Sequence, residues 1–335
     1  MIRSKAPTLE MVAAHAGVSR ATVSRVVNGT PTVDPKVAEV VRRSVEALKY
    51  VPNRAARSLA SQRTLSIALV VPESTARFFA DPFFGALVQG AALELAPSDY
   101  TLNMIIESED QVAKTMRYLL GGNVDGALVV SHQTGDHSWA SIAESLPVVF
   151  GGRPMKEPDG DSYYVDVDNV AGARSAVGHL LARGRRRIAT ITGPPGMPGG
   201  LDRIRGWRAE LEAAGLEPGP LEEGAFTAES GRAATRRLVE RGEPFDAVFI
   251  ASDEMAVASY GVLREAGLRI PEDVAVVGYD DATFSASAVP PLTTVRQPTL
   301  EMGATMARVL VDLIEGRPAE RVTILQTELV VREST

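Results

Sequence analysis

The 335-residue sequence contains no cysteine, which excludes disulfide bridges and thiolate metal sites. Aromatic residues make up only 5% of it. No stretch reaches the roughly eighteen uninterrupted apolar residues of a membrane span. The first residues form no long apolar run, so we expect no secretory signal and a cytoplasmic protein. Hydrophobic residues still make up 45% of the chain, enough for buried cores in two or three domains.

The common catalytic motifs are also missing. The sequence has no Gly-x-Ser-x-Gly, no Gly-x-Gly-x-x-Gly, no phosphate-binding loop and no His-Glu-x-x-His. His132 and His137 follow a predicted strand, but two histidines without further ligands do not make a metal site. We therefore expect neither an enzyme nor a cofactor nor a bound metal.

Charge is distributed unevenly along the chain. The net charge is −7, yet residues 1–63 hold eleven Lys and Arg against four Asp and Glu, a local net charge of +7. The remaining residues carry a net charge of −14. A basic head on an acidic body predicts that the head binds phosphate groups and that the body is repelled by nucleic acid.

Residues 8–29 predict two short helices joined by a tight turn. Thr8 can cap the first helix, Gly17 can end it in a left-handed conformation, and Ser19 can cap the second. Apolar residues recur at helical spacing in both segments. This is the pattern of a helix-turn-helix, although a solvated helical hairpin is the alternative. The apolar positions are Leu9, Val12, Ala13, Ala16, Val18, Val23, Val26 and Val27.

The second helix would leave Arg20, Ala21, Thr22, Ser24 and Arg25 facing outward. The N-terminal residues of such a helix reach base edges in the major groove, where Arg can bond guanine and Ala can meet a thymine methyl group.

A third helix is predicted from Asp34-Pro35 to about Tyr50, because a cap precedes a proline at the first helical position. Its outer residues Arg42, Arg43 and Lys49 either contact phosphate or form a solvated face. Residues 51–60 form a weak helix that suits a linker ordered only on DNA. The inward positions of the third helix are Val37, Val40, Val41, Val45 and Leu48.

From Thr64 onward, apolar strands alternate with amphipathic helices, which is typical of doubly wound α/β folds. The strand candidates are residues 65–71, 101–106, 126–130, 147–150, 188–192, 247–251, 274–278 and 322–328. The helix candidates are residues 82–95, 111–120, 138–145, 170–183, 203–214, 228–241, 255–266 and 299–315.

Five motifs in order along the chain resemble the LacI family of bacterial transcriptional repressors. They are residues 18–28, residues 50–59, Ser252-Asp253-Glu254-Met255-Ala256, Val277-Gly278-Tyr279-Asp280-Asp281 and Pro290-Pro291-Leu292-Thr293-Thr294-Val295.

The resemblance implies an N-terminal helix-turn-helix three-helix head and a two-lobed, doubly wound parallel α/β core of the periplasmic-binding-protein type. The implied domains are 1–52 for DNA binding, 53–63 for a hinge helix, and 64–335 for effector binding and dimerisation. The N-lobe would hold residues 64–165 and 296–326, and the C-lobe residues 166–295 and 327–335. The chain would cross between the lobes near 166–167, 294–296 and 326–327.

For DNA, the resemblance implies that Leu59 wedges between base pairs in the minor groove and kinks the operator. The whole set expected to contact DNA is Thr8, Ser19, Arg20, Ala21, Thr22, Ser24, Arg25, Asn28, Asn53, Ala56 and Leu59.

For a ligand, the carboxyl ends of the strands are the expected site. Phe83 and Phe84 follow the first strand and could pack on a sugar ring, while Arg203 resembles the family's arginine that bonds sugar hydroxyls. Asp253 and Asp280 match the family's hydroxyl-accepting carboxylates. The alternatives are a helix-start aromatic staple for the phenylalanines, a surface salt bridge for Arg203 and an N-cap for Asp253.

Two positions depart from common family patterns. Ser252 stands where many relatives have Asn, and Gly152 stands where several carry an acidic residue. Both changes leave room in the site, and the space opened at Gly152 favours a disaccharide over a single ring. Whether His132, His137 and Trp139 touch a second ring is left open, and we expect Trp207 in a lobe core.

The sequence thus predicts a homodimeric repressor that binds a palindromic operator and is controlled by a small sugar, a mono- or disaccharide. It predicts no membrane partner. The alternative is a cytoplasmic sugar-binding protein without a direct DNA role, which the basic head opposes.

Overall fold

The computed structural model describes residues 7–27, 32–51, 63–106, 112–130, 142–155 and 162–335. The chain divides into two compact units, Met1–Leu65 and Ser66–Thr335. In these ranges, no helix combines the length and the apolar character needed to cross a membrane. Seven of the residues discussed above lie outside the described residues, namely Asn28, Asn53, Ala56, Leu59, His132, His137 and Trp139.

The described residues of the first unit form three helices, α1 (Leu9–Ala16), α2 (Arg20–Val27) and α3 (Pro35–Ala47). Thr8 accepts a hydrogen bond from the backbone N–H of Met11 at 3.4 Å, and Ser19 accepts one from Thr22 at 3.1 Å. Gly17 ends α1 with φ of 64°, where a side chain would be strained. The predicted caps and the predicted turn are therefore confirmed.

Val12, Val23 and Val41 are fully buried and bring the three helices of the head together. The prediction that Val40 faces inward is wrong, since 47% of this residue is exposed. Ala38, Val41 and Ser44 instead form the buried line on α3, because they follow each other at three-residue spacing on one helical face. The helix ends at Ala47, and the chain then turns so that Tyr50 packs on the head core.

Where the structure describes the second unit, its strands form two six-stranded sheets, each covered by helices on both faces, as the alternating pattern predicts. The strands are β1 (Ser66–Val71), β2 (Thr101–Ile106), β3 (Gly126–Val130), β4 (Val148–Gly151), β5 (Tyr163–Val167), β6 (Ile188–Thr192), β7 (Leu221–Glu223), β8 (Ala247–Ile250), β9 (Ala275–Asp280), β10 (Thr293–Arg296), β11 (Val322–Leu325) and β12 (Glu328–Val330). The helices are α4 (Thr75–Ala80), α5 (Pro82–Leu95), α6 (Val112–Tyr118), α7 (Asn169–Ala182), α8 (Pro198–Ala213), α9 (Ala228–Glu240), α10 (Asp253–Glu265) and α11 (Thr299–Ile314).

The first sheet has the strand order β11-β5-β4-β3-β1-β2 and the second β12-β10-β9-β8-β6-β7. Neighbouring strands are parallel, except that β12 runs antiparallel to β10. We call the first sheet with its helices the N-lobe and the second the C-lobe. The chain passes between them after β5, after β10 and between β11 and β12. All three connections are short, which keeps the two lobes close together.

Several predicted bounds match the structure, among them those of β2, β3, β6 and α5. The single strand predicted over 322–328 is wrong, because the chain changes lobes there and forms two strands in different sheets. The helix predicted from Arg203 begins at Pro198, since proline fits the first turn of a helix. The short helix α4 was not predicted.

Helices α5 and α11 cross in the N-lobe with their backbones in close approach. A Cβ at Gly90 would lie 1.9 Å from the carbonyl oxygen of Leu300, and one at Gly303 would lie 2.0 Å from that of Leu87. Neither obstacle is a flexible side chain, so a substitution must push the helices apart.

We expect Gly90→Ala to lower the free energy of unfolding by about 2 kcal/mol. Gly85→Ala on the same helix is the matched control, because its Cβ would meet nothing within 4 Å. Alanine there should be neutral or stabilising by up to about 1 kcal/mol. Urea unfolding followed by circular dichroism measures both, and equal effects of the two substitutions would contradict the close approach of the helices.

Candidate functional site

A cavity lies between the two lobes, where the carboxyl ends of the strands of both sheets meet. Its empty space is about 790 Å³, counting the part open to solvent. Ligand pockets typically measure roughly 300–1,000 Å³. The N-lobe contributes Arg77, Asp81, Phe83, Phe84, Gly151, Gly152, Arg153, Asp166 and Met302, the C-lobe contributes Asn169, Met197, Pro198, Gly199, Gly200, Arg203, Phe226, Ser252 and Asp280, and Gln297 lies on the connection after β10.

Phenylalanines form the apolar wall of the cavity on the N-lobe side. Phe78 stacks on Phe84 with the ring centroids 5.5 Å apart, and Phe83 meets Phe84 edge to face at 5.6 Å. Phe84 is 2% exposed, so it supports the wall, whereas Phe83 is half-buried. The carboxylate of Asp81 caps α5 by accepting the N–H of Phe83 at 2.9 Å. The structure therefore makes this segment both a helix start and a cavity wall.

Arg203 is the buried cation on the C-lobe side. Its Nε donates to the amide oxygen of Asn169 at 2.9 Å, and its Nη1 donates to the carbonyl oxygen of Ala251 at 2.5 Å. Its guanidinium carbon lies 3.6 Å from the ring centroid of Tyr279, a close cation–π contact. Only 8% of the side chain is exposed, which excludes the surface salt bridge considered above.

Asp280 is the acidic partner of Arg203 across the cavity floor. Its Oδ1 lies 3.7 Å from Nη1 of Arg203 and accepts a hydrogen bond from the amide of Gln297 at 2.6 Å. The backbone of Asp280 has φ of 118°, a strained conformation for a residue with a side chain, of the kind found at functional sites. Burial raises the pKa of the carboxyl well above its ordinary value. A ligand hydroxyl can donate a hydrogen bond to the ionised carboxylate or accept one from the protonated carboxyl group.

Asp166 connects the two lobes at the first crossing. Its carboxylate accepts hydrogen bonds from the backbone N–H groups of Arg153 and Val167, at 2.9 and 2.7 Å, and from the amide of Asn169 at 3.1 Å. Asn169 in turn accepts from Arg203. The chain Asp166–Asn169–Arg203 thus fixes the orientation of the cavity arginine.

Every arginine that lines the cavity is paired with a carboxylate. Arg77 lies 2.8 Å from Glu73, and Arg153 lies 2.9 Å from Asp202. The lining carboxyls of Asp81 and Asp166 remain in addition, and burial raises the pKa of each. The cavity therefore offers no surplus positive charge to an anion.

Asp253 does not line the cavity, so the expectation that it accepts a ligand hydroxyl is not supported by its position. It is 0% exposed, and its carboxylate accepts hydrogen bonds from the hydroxyls of Ser285 and Thr294 and from the N–H of Ala282, at 2.6, 2.5 and 2.9 Å. Ser252, rather than Asp253, is the N-cap of α10, and Ser252 lines the cavity. Three internal donors occupy Asp253, so its role in the fold is to hold the 281–285 loop.

Burial raises the pKa of Asp253 to about 6, although its three hydrogen bonds act in the opposite direction. The folded protein then holds this proton more tightly than the unfolded chain. The contribution of the carboxyl to stability is complete below the unfolded value of 3.8 and is lost as the pH rises through about 6. We therefore expect the melting temperature of the wild type, relative to Asp253→Asn, to fall between about pH 4 and pH 7. A difference that stays constant over this range would contradict the raised pKa.

The sequence reading missed Arg77, Arg153, Asp166, Asn169 and Gln297. Asp166, Asn169 and Gln297 could have been recognised by their position, because each lies within two residues of the carboxyl end of β5 or β10. Neither β5 nor β10 was predicted as a strand, so these three residues were not expected at the carboxyl end of a strand. Gly152, which was expected to open space, has φ of 93° and nothing within 4 Å of its Cβ position.

The second helix of the head presents its N-terminal end to solvent. Arg20, Ala21 and Arg25 are exposed, while Thr22 and Ser24 are half-buried. Nη1 of Arg20 lies 3.2 Å from the carboxylate of Glu10, and both side chains are largely exposed. An exposed ion pair of this kind contributes little to stability, so Arg20 can exchange Glu10 for another acceptor at low cost.

Comparisons with known proteins identify the family of this chain. The model described as "Bacterial regulatory proteins, lacI family" matches residues 8–53, and the "Periplasmic binding protein-like domain" matches residues 177–335. The HTH-type transcriptional regulator CelR of Thermobifida fusca is 47% identical over 100% of both chains. The HTH-type transcriptional regulator DegA of Bacillus subtilis (strain 168) is 33% identical over 98% of both.

Solved structures of LacI-family regulators match this chain over nearly its whole length. The transcriptional regulator CelR–cellobiose complex has a TM-score of 0.79 and 45% identity, covering 98% of this chain and 100% of that one. The lac repressor dimer bound to operator and the anti-inducer ONPF has a TM-score of 0.86 and 29% identity, covering 98% and 99%. The chain therefore belongs to the LacI family and is a helix-turn-helix transcriptional regulator with a two-lobed periplasmic-binding-protein-like core.

Proposed function

We propose that this regulator is a cytoplasmic, homodimeric repressor that leaves its palindromic operator when a neutral β-linked glucose disaccharide such as cellobiose enters the cavity between the lobes. The observation that carries the proposal is the pairing of every cavity arginine with a carboxylate. The relative whose solved structure holds cellobiose supports the choice of sugar.

The charge balance distinguishes a neutral sugar from a phosphorylated one. A phosphate group needs unpaired donors, typically from Arg or Lys. Here the guanidinium groups already have carboxylate partners, so the cavity leaves no unpaired cation for a phosphate group. Hydroxyl groups, in contrast, both donate and accept, so they fit alternating carboxylates and guanidinium groups. The half-buried ring of Phe83 supplies an apolar surface for a sugar face.

The site also couples the ligand to the arrangement of the lobes. Phe83 belongs to the N-lobe and Arg203 to the C-lobe, so one ligand that contacts both favours one relative position of the lobes over another. The coupling free energy of such a switch is typically about 1–3 kcal/mol. We expect the disaccharide to weaken operator binding by a corresponding factor of about 5–150.

The test is fluorescence anisotropy with a labelled palindromic duplex, titrated with cellobiose, glucose and a phosphorylated disaccharide at constant salt. Cellobiose should release the duplex, and the phosphorylated sugar should not. Release by the phosphorylated sugar alone would contradict the argument from charge. Binding of a random duplex as tight as that of every palindrome, with and without sugar, would contradict the proposal as a whole.

The alternative of a sugar-binding protein without a DNA role has less support. The head carries a net charge of +7 and exposes Arg20, Ala21 and Arg25 at the reading end of α2. A basic surface of this kind is the electrostatic signature of nucleic-acid binding, and binding a neutral sugar does not require it.

A further inference from the structure

Arg153 and Asp202 form an ion pair that joins the two lobes. Arg153 follows β4 in the N-lobe, and Asp202 lies in α8 of the C-lobe, 49 residues further along the chain. Nη2 of Arg153 donates to both carboxylate oxygens of Asp202, at 2.9 and 3.1 Å. The side chain of Asp202 is 12% exposed and that of Arg153 is 34% exposed. The pair is therefore partly shielded from solvent, and salt screens it only in part.

The two ends of this ion pair are anchored in their own lobes. The backbone N–H of Arg153 donates to the carboxylate of Asp166 at 2.9 Å, beside the first crossing between the lobes. The carboxylate of Asp202 accepts a further hydrogen bond from Nη1 of Arg205 at 2.9 Å, one turn later in α8. Because the backbone of Arg153 and the carboxylate of Asp202 are already fixed, less conformational entropy opposes the pair than opposes two free surface side chains.

The ion pair depends on the relative position of the lobes. Its hydrogen bonds are lost once nitrogen and oxygen separate beyond about 3.5 Å, so a small movement of one lobe away from the other breaks them. In the position that keeps the pair, Phe83 of the N-lobe and Arg203 and Asp280 of the C-lobe line one cavity. A contact made in one conformation and absent from another shifts the equilibrium toward the first. The pair therefore favours the conformation in which one ligand can contact both lobes.

We infer that Asp202 is a positioning residue for the sugar site, which holds Arg153 across the cleft and so stabilises the arrangement of the lobes that binds the ligand. Asp202 does not itself line the cavity, whereas Arg153 does, so Asp202 acts through Arg153 rather than by touching the sugar. This role rests on the proposed sugar-binding function. When fewer molecules hold the sugar-binding arrangement, more sugar is needed to release the operator.

The experiment compares full-length wild type with Asp202→Asn, by calorimetry with cellobiose and by release of the labelled operator. Asparagine keeps the shape of the side chain but removes the negative charge that holds Arg153. We expect cellobiose affinity to fall about three- to tenfold, as for the loss of one partly exposed charged hydrogen bond. The cellobiose concentration at half-release of the operator should rise by a similar factor. Operator affinity without sugar should stay unchanged or rise slightly, since the weakened arrangement is the one that leaves DNA.

Ionic strength supplies a measurement that a merely structural role would not change. Cellobiose carries no charge, so salt acts on its binding through charged groups of the protein. Raising the salt concentration from about 0.1 M to about 1 M should weaken cellobiose binding by wild type, and should weaken it less in Asp202→Asn. The double variant Arg153→Gln with Asp202→Asn should lose no more affinity than Arg153→Gln alone, because the two residues act as one unit.

Arg205→Met is the matched control. It removes the other partner of Asp202, within α8, and leaves the ion pair between the lobes in place. The control should keep both the cellobiose affinity and its dependence on salt. Unchanged affinity in Asp202→Asn, the same loss in Arg205→Met, additive losses in the double variant or binding by wild type that is independent of salt would each overturn the role of Asp202. If wild type binds no cellobiose at all, the proposed function itself is wrong.

Discussion

Replacing Arg203 by methionine is expected to weaken sugar binding at least about a hundredfold and to leave operator binding intact. The guanidinium is the buried donor group of the C-lobe wall, and it also fixes the orientations of Asn169 and Asp280. Removing one partner of a buried charged contact to a ligand costs about 2–5 kcal/mol of binding free energy, and about 2.8 kcal/mol corresponds to a hundredfold loss of affinity. Methionine has a similar apolar length and can pack against Phe226 and Tyr279, so the lobe should still fold.

Operator anisotropy and calorimetry on the same preparation test this expectation. The variant should bind the duplex like wild type and should fail to release it with cellobiose. Arg205→Met is the matched control on the same helix: Arg205 lies 2.9 Å from Asp202, is 68% exposed along its side chain and does not line the cavity. Normal release by Arg203→Met, or the same defect in Arg205→Met, would contradict the assignment of Arg203.

Replacing Arg20 by alanine is expected to weaken operator binding about tenfold to a hundredfold and to reduce sequence specificity. Arg20 is the exposed first residue of α2, the position from which a reading helix contacts base edges. One bidentate contact from arginine to guanine provides about 1–3 kcal/mol of discrimination. Sugar binding should not change, because Arg20 belongs to the head unit and the cavity to the core unit.

Two further variants separate base reading from simple charge. Glu10→Gln removes the carboxylate that pairs with Arg20, and should leave operator affinity unchanged or raise it slightly. Arg174→Ala removes a half-exposed arginine from the core unit and should have no effect. If Arg20→Ala weakened operator and random duplexes by the same factor, Arg20 would be a phosphate contact rather than a base contact.

The head was predictable from local chemistry. Thr8, Gly17, Ser19 and Asp34 act through hydrogen bonds and backbone conformations within a few residues, so the sequence alone determined where the three helices begin and turn. The alternation of apolar strands with amphipathic helices likewise determined the α/β class of the core. Five motifs in the order of the LacI family identified the chain as a transcriptional regulator of that family without any structural information.

Tertiary structure decided which side chains share the cavity. Asp253 and Asp280 look equivalent in sequence, as carboxylates after buried strands, but one is closed off by Ser285, Thr294 and Ala282 while the other faces Arg203. The donors that occupy Asp253 lie 29–41 residues away along the chain, so no local pattern contains them.

The same reason explains Arg77 and Asp166. Whether an arginine such as Arg77 is solvated or buried in an ion pair depends on which distant segments pack around it. Local sequence sets the conformation of each segment through short-range hydrogen bonds, whereas burial, charge pairing and the cavity arise only when distant segments pack together.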